Sequence, residues 1–401
     1  MRHFISNIIN DILFILLYIR SRIKRNDRNA SGVLLIRFAH IGDFIVWLDA
    51  AKEFRSIYPD EKITFLCDKS KDVKMLAEKM GYFDEVLVLE TRGCERLKSI
   101  CKIMKQTYRV VINADPSRTI LSDDFVLAVG ANERIAVKTD LTRISRRKAH
   151  YSDKIYNRVI PCDGIKTMEL IRNAQFIRGL AKEHRFRADL PVIPEFLSNA
   201  VITEKNYFVI CAGGNTPLQY WNEEKFAAVI NYIFEKDPDI KCVAIGVETE
   251  ADEFRKIAAG VIQTNRIISL IGRTNILEYI EVVRNARWLI TNDTSAAHIA
   301  GAVETPSVAV AVSWNTGRFY PYQTENKPAG HILPIGIRAD LACSGCGEYG
   351  IDAAHLKCLE NHRARCVNRV KTTQMLEIVD RFMEKESNGQ HKVKQNKIYR
   401  S

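Results

Sequence analysis

Apolar residues along the chain fall into two kinds of block that alternate with each other. Short runs with few polar interruptions, such as Val33 to Arg37 and Ile63 to Cys67, predict buried strands. Longer stretches with apolar residues three and four positions apart, such as Phe44 to Tyr58, predict helices. Because strands and helices alternate from Ser31 onward, the pattern predicts an α/β domain with a doubly wound parallel sheet.

The alternation is interrupted once and then starts again. A basic stretch, Lys138 to Lys154, is predicted to be irregular, and the proline-containing segment Asp189 to Phe196 is predicted to be a linker. A second alternating block begins at Phe208, so the chain is expected to form two similar domains with a cleft between the carboxyl edges of their sheets. The predicted divisions are residues 1–30, 31–190, 191–383 and 384–401.

The segment from Trp288 to Val312 carries the clearest chemical signal. It predicts a strand, a hydroxyl-rich turn, a short helix starting near Ala296 and a second strand, which together form one βαβ unit. Asp293 and Thr294 fall at the start of the helix, and His298 lies one turn into it, facing back toward the turn. Such a turn offers free backbone N–H groups to a phosphate. A well-capped core helix is the alternative.

A second candidate site is the turn after the first strand. Asp43 follows Gly42 directly and comes at the start of a helix, where the helix dipole keeps a carboxylate ionised and ready to accept a proton. A plain N-cap aspartate is the alternative. The glycine pattern G-x-G-x-x-G does not follow this strand, which argues against a dinucleotide-dependent oxidoreductase.

Two turns of the second domain add groups that suit a nucleotide. Gly213 and Gly214 allow a phosphate to approach the backbone closely, and the two residues after them offer hydrogen bonds. Glu248 or Glu250, in the turn after the next strand, is suited to bind a ribose diol.

The charge distribution changes the picture of what the protein contacts. The formal net charge is +11, and seven of the excess positive charges lie in residues 1–30 and 384–401. A nucleic-acid-binding protein more often concentrates its positive charge on a folded face, so no nucleic-acid partner is expected. Positive charge at the chain ends suits an anionic membrane surface.

The N-terminal segment supports a membrane partner. From Phe4 to Ile19 the residues are mostly apolar at helical spacing, but the run is shorter than the roughly 20 residues of a spanning helix. The pattern predicts an amphipathic helix in the membrane interface, on the cytoplasmic face of the inner membrane. Packing against its own domain or a partner chain, or a single spanning anchor, are the alternatives.

Ten cysteines are present, and four of them lie close together in the sequence. The scattered ones are predicted to be reduced core residues of a cytoplasmic protein. The cluster has the spacing C-x2-C-x11-C-x7-C, which supplies enough thiolates for a structural zinc ion. Reduced or opportunistically paired thiols are the alternative. Its members are Cys343, Cys346, Cys358 and Cys366.

Taken together, these motifs resemble glycosyltransferase family 9, the heptosyltransferases that build the inner core of lipopolysaccharide. The resemblance covers roughly residues 32–370 and rests on three stretches: IRFAHIGD, GGNTPLQYW before an E-x-F helix, and IGRTNILEYIEVVRNARWLITNDTSAAHIAGAVETPSVAV. It implies the GT-B fold, two facing Rossmann-like domains with a central cleft. It also implies a nucleotide-activated heptose, ADP-heptose above all, on the C-terminal domain and a lipid-linked saccharide acceptor on the N-terminal domain.

The resemblance assigns roles to individual residues. Asp43 matches the base that deprotonates the acceptor hydroxyl in an inverting transfer, for which the family requires no cofactor or metal ion. The acidic acceptor is expected to contact Arg143, Arg146, Arg147 and Lys148. The donor is expected to contact Gly213, Gly214, Asn215, Thr216, Gln219, Glu250, Arg273, Asp293, Thr294, Ser295 and His298.

Two positions depart from the family pattern. Ser295 stands where the family usually has glycine, and Gln219 stands where many members place a lysine that meets the diphosphate. Glutamine supplies no charge, so Arg273 or Arg318 would have to compensate. The alternatives are therefore a family member that uses another nucleotide sugar for a different surface glycan, or a non-catalytic nucleotide-sugar-binding protein at the membrane.

Overall fold

The structure, a computed structural model, is an α/β protein with two six-stranded parallel sheets. It describes residues 12–21, 29–91, 93–181, 184–197, 201–326, 332–343, 345–346, 358–360 and 362–387. The chain divides into two compact units. The N-terminal unit is Met1–Pro191 with Thr324–Asn326, and the C-terminal unit is Val192–Gln323 with Lys327–Ser401.

The sheet of the N-terminal unit has the strand order β3-β2-β1-β4-β5-β6, with every neighbouring pair parallel. Its strands are β1 Val33–Ile36, β2 Ile63–Cys67, β3 Glu85–Val88, β4 Thr107–Asn113, β5 Gly130–Val137 and β6 Arg158–Ile160. The helices are α1 (residues 12–21 of the described chain), α2 Ile41–Ala51, α3 Glu53–Ile57, α4 Lys71–Met80, α5 Gly93–Ile103, α6 Ile120–Ala128, α7 Arg146–Asp153 and α8 Glu169–Leu180.

The sheet of the C-terminal unit has the order β12-β11-β10-β7-β8-β9 and is also parallel throughout. Its strands are β7 Tyr207–Cys211, β8 Lys241–Ala244, β9 Ile267–Ser269, β10 Leu289–Asn292, β11 Ser307–Val310 and β12 Ile335–Ile337, and a hairpin of β13 Leu359–Glu360 and β14 Arg363–Ala364 follows. The α-helices are α9 Glu223–Lys236, α10 Ala251–Ala259, α11 Ile276–Arg284, α12 Ser295–Ala302, α13 Arg365–Asn368 and α14 Thr372–Ser387.

The apolar runs become central strands because helices cover both faces of each sheet. Every residue of β1, β7 and β10 is buried, which is why these strands are continuous apolar runs rather than alternating ones. In the C-terminal unit, α14 packs on α9, and the indole N–H of Trp221 donates to the carbonyl of Val370 at 3.1 Å. The prediction of two doubly wound parallel sheets, one in each unit, is confirmed.

The structure corrects one local prediction and adds detail to another. The basic stretch predicted to be irregular contains α7, which begins after Ser145, whose hydroxyl accepts a hydrogen bond from the amide of Lys148 at 3.3 Å. At the N-terminus, α1 packs one face against the core of its unit, where Leu17 is buried. Within the described part of the chain, no helix combines the length and the apolar character that crossing a bilayer requires.

Candidate active site

The turn between β10 and α12 is formed as the sequence predicts, with Thr294 as the N-cap of the helix. Its hydroxyl accepts a hydrogen bond from the amide of Ala296 at 3.3 Å and lies 3.0 Å from the hydroxyl of Thr291. The small, fully buried Ala297 and Ala300 let the helix approach the sheet closely. The positive end of the α12 dipole and the amides of its first turn therefore lie at the carboxyl edge of the sheet.

Asp293 does not share in capping this helix. Its carboxylate turns toward the end of β11, where it accepts hydrogen bonds from the amide of Val312 at 3.0 Å and the side-chain amide of Asn315 at 3.1 Å. Burial raises the pKa of Asp293 to about 6, while these hydrogen bonds and the charge of Arg318 oppose the rise. The structure thus brings Arg318, one of the two predicted substitutes for the missing lysine, within electrostatic range of the turn.

His298 is buried on the side of α12 that faces the loop after β11. Its Nδ1 atom contacts the hydroxyl of Tyr322, and its ring lies 4.8 Å, between centroids, from that of Phe319. The sequence places His298 on this helix but gives no signal for the two aromatic partners, which lie more than twenty residues later.

Hydrogen bonds join the glycine-rich turn after β7 to the turn after β10. The side-chain amide of Asn292 donates to the carbonyl of Gly213 at 3.1 Å, and its oxygen accepts from the amide of Trp221 at 3.0 Å. Gln219 donates from Nε2 to the carbonyl of Asp293 at 3.0 Å. Its Oε1 atom is buried and has no hydrogen-bond partner in the described part of the chain. The two predicted donor turns therefore form one structure, and Gln219 is part of it.

Of the two glutamates in the turn after β8, Glu250 lies against the glycine-rich turn. Its carboxylate accepts hydrogen bonds from the amides of Gly214 at 2.9 Å and Val247 at 3.0 Å, whereas Glu248 is exposed. A Cβ atom on Gly213 would lie only 1.8 Å from the carboxyl carbon of Glu250, so glycine at this position lets the carboxylate approach the backbone closely. Burial raises the pKa of Glu250, and the two amide hydrogen bonds lower it.

The remaining predicted donor residues lie at the margins of the region. Thr216 caps a short 3-10 turn, Pro217–Gln219, by accepting from the amide of Leu218 at 3.4 Å. Asn215 and Arg273 are exposed, and the side chain of Ser295 lies in the first turn of α12. The structure therefore brings together most of the predicted donor set within the C-terminal unit.

In the N-terminal unit, Asp43 lies in the first turn of α2 and is partly exposed. No side chain caps this helix at His40, so the dipole acts on the acidic residue of the first turn. Arg37, which follows β1 directly, is buried over the ring of Trp47 and donates to the carbonyl of Ala114 at 2.7 Å. A buried cation therefore lies between the ends of β1 and β4, beside the turn that carries Asp43.

Asp115 is a buried acid that the sequence prediction missed. It follows β4, and its side chain accepts from the amide of Ser117 at 2.9 Å. Burial raises the pKa of Asp115, the charges of Arg37 and Arg143 oppose that rise, and the charge of Asp43 adds to it. These four charged groups therefore share the carboxyl edge of the first sheet. The sequence contained one signal for Asp115, namely a polar residue directly after an apolar run that predicts a buried strand.

A chain of buried ion pairs supports this edge. Arg37 meets Glu169 at 3.3 Å, Glu169 meets Arg172 at 3.0 Å, and Arg172 meets Asp140 at 3.2 Å, with all four side chains almost fully buried. Asp140 also accepts a hydrogen bond from the hydroxyl of Ser117 at 2.8 Å and another from the amide of Thr142 at 3.1 Å. The chain thereby anchors the loop that carries Arg143. The other predicted acceptor residues, Arg146, Arg147 and Lys148, are exposed in the first turn of α7.

The cysteine cluster lies at the hairpin of the C-terminal unit. Cys358 and Cys366 flank β13 and β14, and the amide of Arg365 donates to the carbonyl of Cys358 at 2.9 Å. Burial raises the pKa of Cys346, and the neighbouring thiols of the cluster raise it further. All four are free thiols. Among the described residues, no three His, Cys, Asp or Glu side chains form an arrangement that would hold a metal ion.

Comparison with solved structures agrees with this architecture. The structure of Escherichia coli ADP-heptose lipopolysaccharide heptosyltransferase II matches with a TM-score of 0.63 at 15% identity, covering 89% of this chain and 99% of that one. A glycosyltransferase family 9 protein from Veillonella parvula matches with a TM-score of 0.64 at 16% identity, covering 88% and 98%. E. coli heptosyltransferase WaaC with ADP gives a TM-score of 0.58 at 14% identity, covering 88% and 98%. At these identities the likeness shows the fold.

Sequence comparison reaches the same family. Lipopolysaccharide heptosyltransferase 3 of E. coli is 20% identical, over 67% of this chain and 80% of that protein. Residues 168–334, which hold the region around Gly213, Glu250 and Asp293, match glycosyltransferase family 9 (heptosyltransferase). The part of the chain that holds the candidate donor region therefore matches glycosyltransferase family 9.

Proposed function

We propose that the protein transfers a heptose or a related sugar from a nucleotide sugar to a lipopolysaccharide-type acceptor, with inversion at the anomeric carbon. The observation that carries this proposal is the joined donor region of the C-terminal unit. There, Glu250, the glycine-rich turn and the start of α12 are held together by Asn292 and Gln219. The relatives named for ADP-heptose and lipopolysaccharide support heptose and a lipid-linked acceptor.

The donor is proposed to bind by its nucleotide and its diphosphate. Glu250 is suited to accept hydrogen bonds from a ribose diol, because two backbone amides fix its carboxylate. The first amides of α12, after Thr294, bind the diphosphate at the positive end of the helix dipole. Arg318 supplies the cation that Gln219 lacks, and its charge already acts on Asp293. Thus negative charge that develops on the leaving group is stabilised without a catalytic metal ion.

The chemical step is proposed to begin at Asp43, which takes the proton from the acceptor hydroxyl. The oxygen of that hydroxyl forms a bond with the anomeric carbon as the bond from this carbon to the diphosphate oxygen breaks. The nucleoside diphosphate leaves with the bonding electron pair. The exposed Arg143, Arg146, Arg147 and Lys148 are proposed to contact the negative groups of the acceptor. Such a lipid acceptor places the reaction at a membrane, and we propose the inner face of the cytoplasmic membrane.

A calorimetric titration with ADP-, UDP- and GDP-sugars tests the donor assignment. ADP-heptose is expected to bind tightest. The variant Glu250→Gln is expected to weaken this binding by about ten- to a hundredfold, because a charged hydrogen-bond acceptor is lost. Glu248→Gln, an exposed neighbour, is the matched control and should bind like the parent. Preference for UDP or GDP would support another donor, and absence of binding by all three would favour the non-catalytic alternative.

The cysteine cluster supports a separate, structural proposal. Four thiols within electrostatic range of one another suit a soft tetrahedral ion such as zinc. The described side chains do not form a metal-holding arrangement, so zinc binding would require the four thiols to turn toward a common centre. The hairpin brings the backbone of Cys358 close to that of Arg365, the residue before Cys366. Metal analysis of the purified protein is expected to find about one zinc ion per chain, since four ligands complete one site. Cys358→Ser should lower this content, whereas Cys101→Ser, which changes an exposed cysteine of the other unit, should not. Four accessible thiols and no bound metal would contradict the proposal.

A further inference from the structure

The helix α1 has two apolar faces, and only one of them is covered. Leu17 is buried in the core of the N-terminal unit, and Leu13, Phe14 and Tyr18 pack against the same core. This face accounts for one of the interpretations that the sequence left open, in which the helix packs on its own domain. It leaves the other side of the helix unexplained.

The uncovered side carries four large aliphatic residues in one stripe. Ile12, Ile15, Leu16 and Ile19 are between 52% and 59% exposed. Their spacing is i, i+3, i+4 and i+7, which aligns side chains along one side of a helix. Single exposed aliphatic residues are ordinary on protein surfaces, but a contiguous apolar surface marks a contact with another phase or partner. We call these four residues the apolar stripe.

The helix is fixed in this orientation by its last turn. Arg20 donates hydrogen bonds to the carbonyl of Ala128 at 2.7 Å and to the carbonyl of Met104 at 2.9 Å. These carbonyls lie at the ends of α6 and α5, where a cation is favoured by both helix dipoles. Rotation of α1 to bury the stripe would break these bonds and expose Leu17. The stripe is therefore held outward by the fold.

The charges that follow α1 in the sequence indicate what covers the stripe. The sequence directly after α1 contains four basic residues and a single acidic one: Arg22, Lys24, Arg25 and Arg28 against Asp27. An anionic lipid surface offers an apolar layer for the stripe and negative headgroups for the basic residues.

We propose that the apolar stripe inserts into the headgroup and upper acyl region of an anionic membrane, with α1 lying parallel to the surface and still packed on its own unit. The membrane then contacts a rigid part of the fold rather than a separate anchor. The proposal rests on the proposed function. It adds the surface of the protein that contacts the bilayer in which the lipid-linked acceptor lies.

Vesicle co-sedimentation of the full chain tests the stripe without any sugar transfer. The parent is expected to bind vesicles of phosphatidylcholine mixed with phosphatidylglycerol, and to bind less as salt is raised. The variant Ile15→Gln, Leu16→Gln, Ile19→Gln keeps good helix formers and should bind at least about tenfold more weakly. The matched control is Val192→Gln, Val247→Gln, Ile262→Gln, which changes three exposed aliphatic residues elsewhere and should bind like the parent.

The outcomes separate the possible occupants of the stripe. Equal vesicle binding by the parent and the stripe variant would overturn the proposal. So would a concentration-dependent dimer in sedimentation velocity that the stripe variant abolishes, because a second copy would then cover the stripe. Equal thermal unfolding of the parent and the stripe variant confirms that packing around Leu17 is retained. Calorimetric donor binding by the stripe variant, measured without vesicles, shows separately whether the proposed function holds.

Discussion

Replacement of Asp43 by asparagine is expected to lower the rate of sugar transfer by about a hundredfold to ten-thousandfold, the usual contribution of a general base. Asparagine has nearly the same shape as aspartate but does not accept a proton at neutral pH. The carboxylate lies in the first turn of α2, beside the edge that holds Arg37 and Asp115. The loss should therefore appear in kcat, while calorimetric binding of the donor to the other unit stays close to the parent value.

A matched control exists in the same unit. Asp72 also lies in the first turn of a helix that follows a strand, and it is exposed. Asp72→Asn should leave both the transfer rate and the thermal unfolding temperature close to the parent. Undiminished turnover by Asp43→Asn would reject Asp43 as the base and would leave the buried Asp115, the nearby acid that the sequence did not reveal, as the next candidate to test.

Both sheets could be predicted from the sequence because parallel strands that are covered on both faces consist of continuous apolar runs. The sequence also placed the polar turns correctly, because in such sheets the carboxyl ends of the strands share one edge. Thr294 became the N-cap of α12, and Gly213 proved to be needed for the approach of Glu250. These features depend on neighbours within a few residues or on strands whose order follows from the alternation.

Features that depend on distant partners escaped prediction. Asp293 looked like a helix cap, but its carboxylate bonds to Val312, nineteen positions later. The ion pair of Arg37 and Glu169 joins residues 132 positions apart, and no periodicity records such a contact. The sequence predicted an amphipathic helix at the N-terminus but did not show which of its apolar residues are buried, and the contacts of Leu17 show this. Local sequence patterns predict the helices and strands, whereas contacts between distant residues determine which polar and apolar groups meet.

Replacement of Arg172 by methionine is expected to reduce the free energy of unfolding by about 3–5 kcal/mol, the usual cost of removing one partner from a buried ion pair. Methionine fills similar space, so the main loss is the cation that lies between Glu169 and Asp140. The carboxylates of Glu169 and Asp140 then remain buried with one fewer positive charge beside them. Urea denaturation monitored by tryptophan fluorescence measures the change. Lys62→Met, which removes one partner of the exposed pair with Glu85, is the control and should cost less than about 1 kcal/mol.

The pH dependence of this deficit tests its cause. A buried carboxylate without a cation disfavours its charged form, so the native variant takes up a proton more readily than the unfolded chain does. A group with a raised pKa in the folded state loses stability as the pH rises, and the deficit of Arg172→Met should therefore grow from acidic to neutral pH. Because Asp140 anchors the loop of Arg143, the KM for the acceptor should rise as well. A deficit that is independent of pH would assign the loss to packing rather than to unpaired charge.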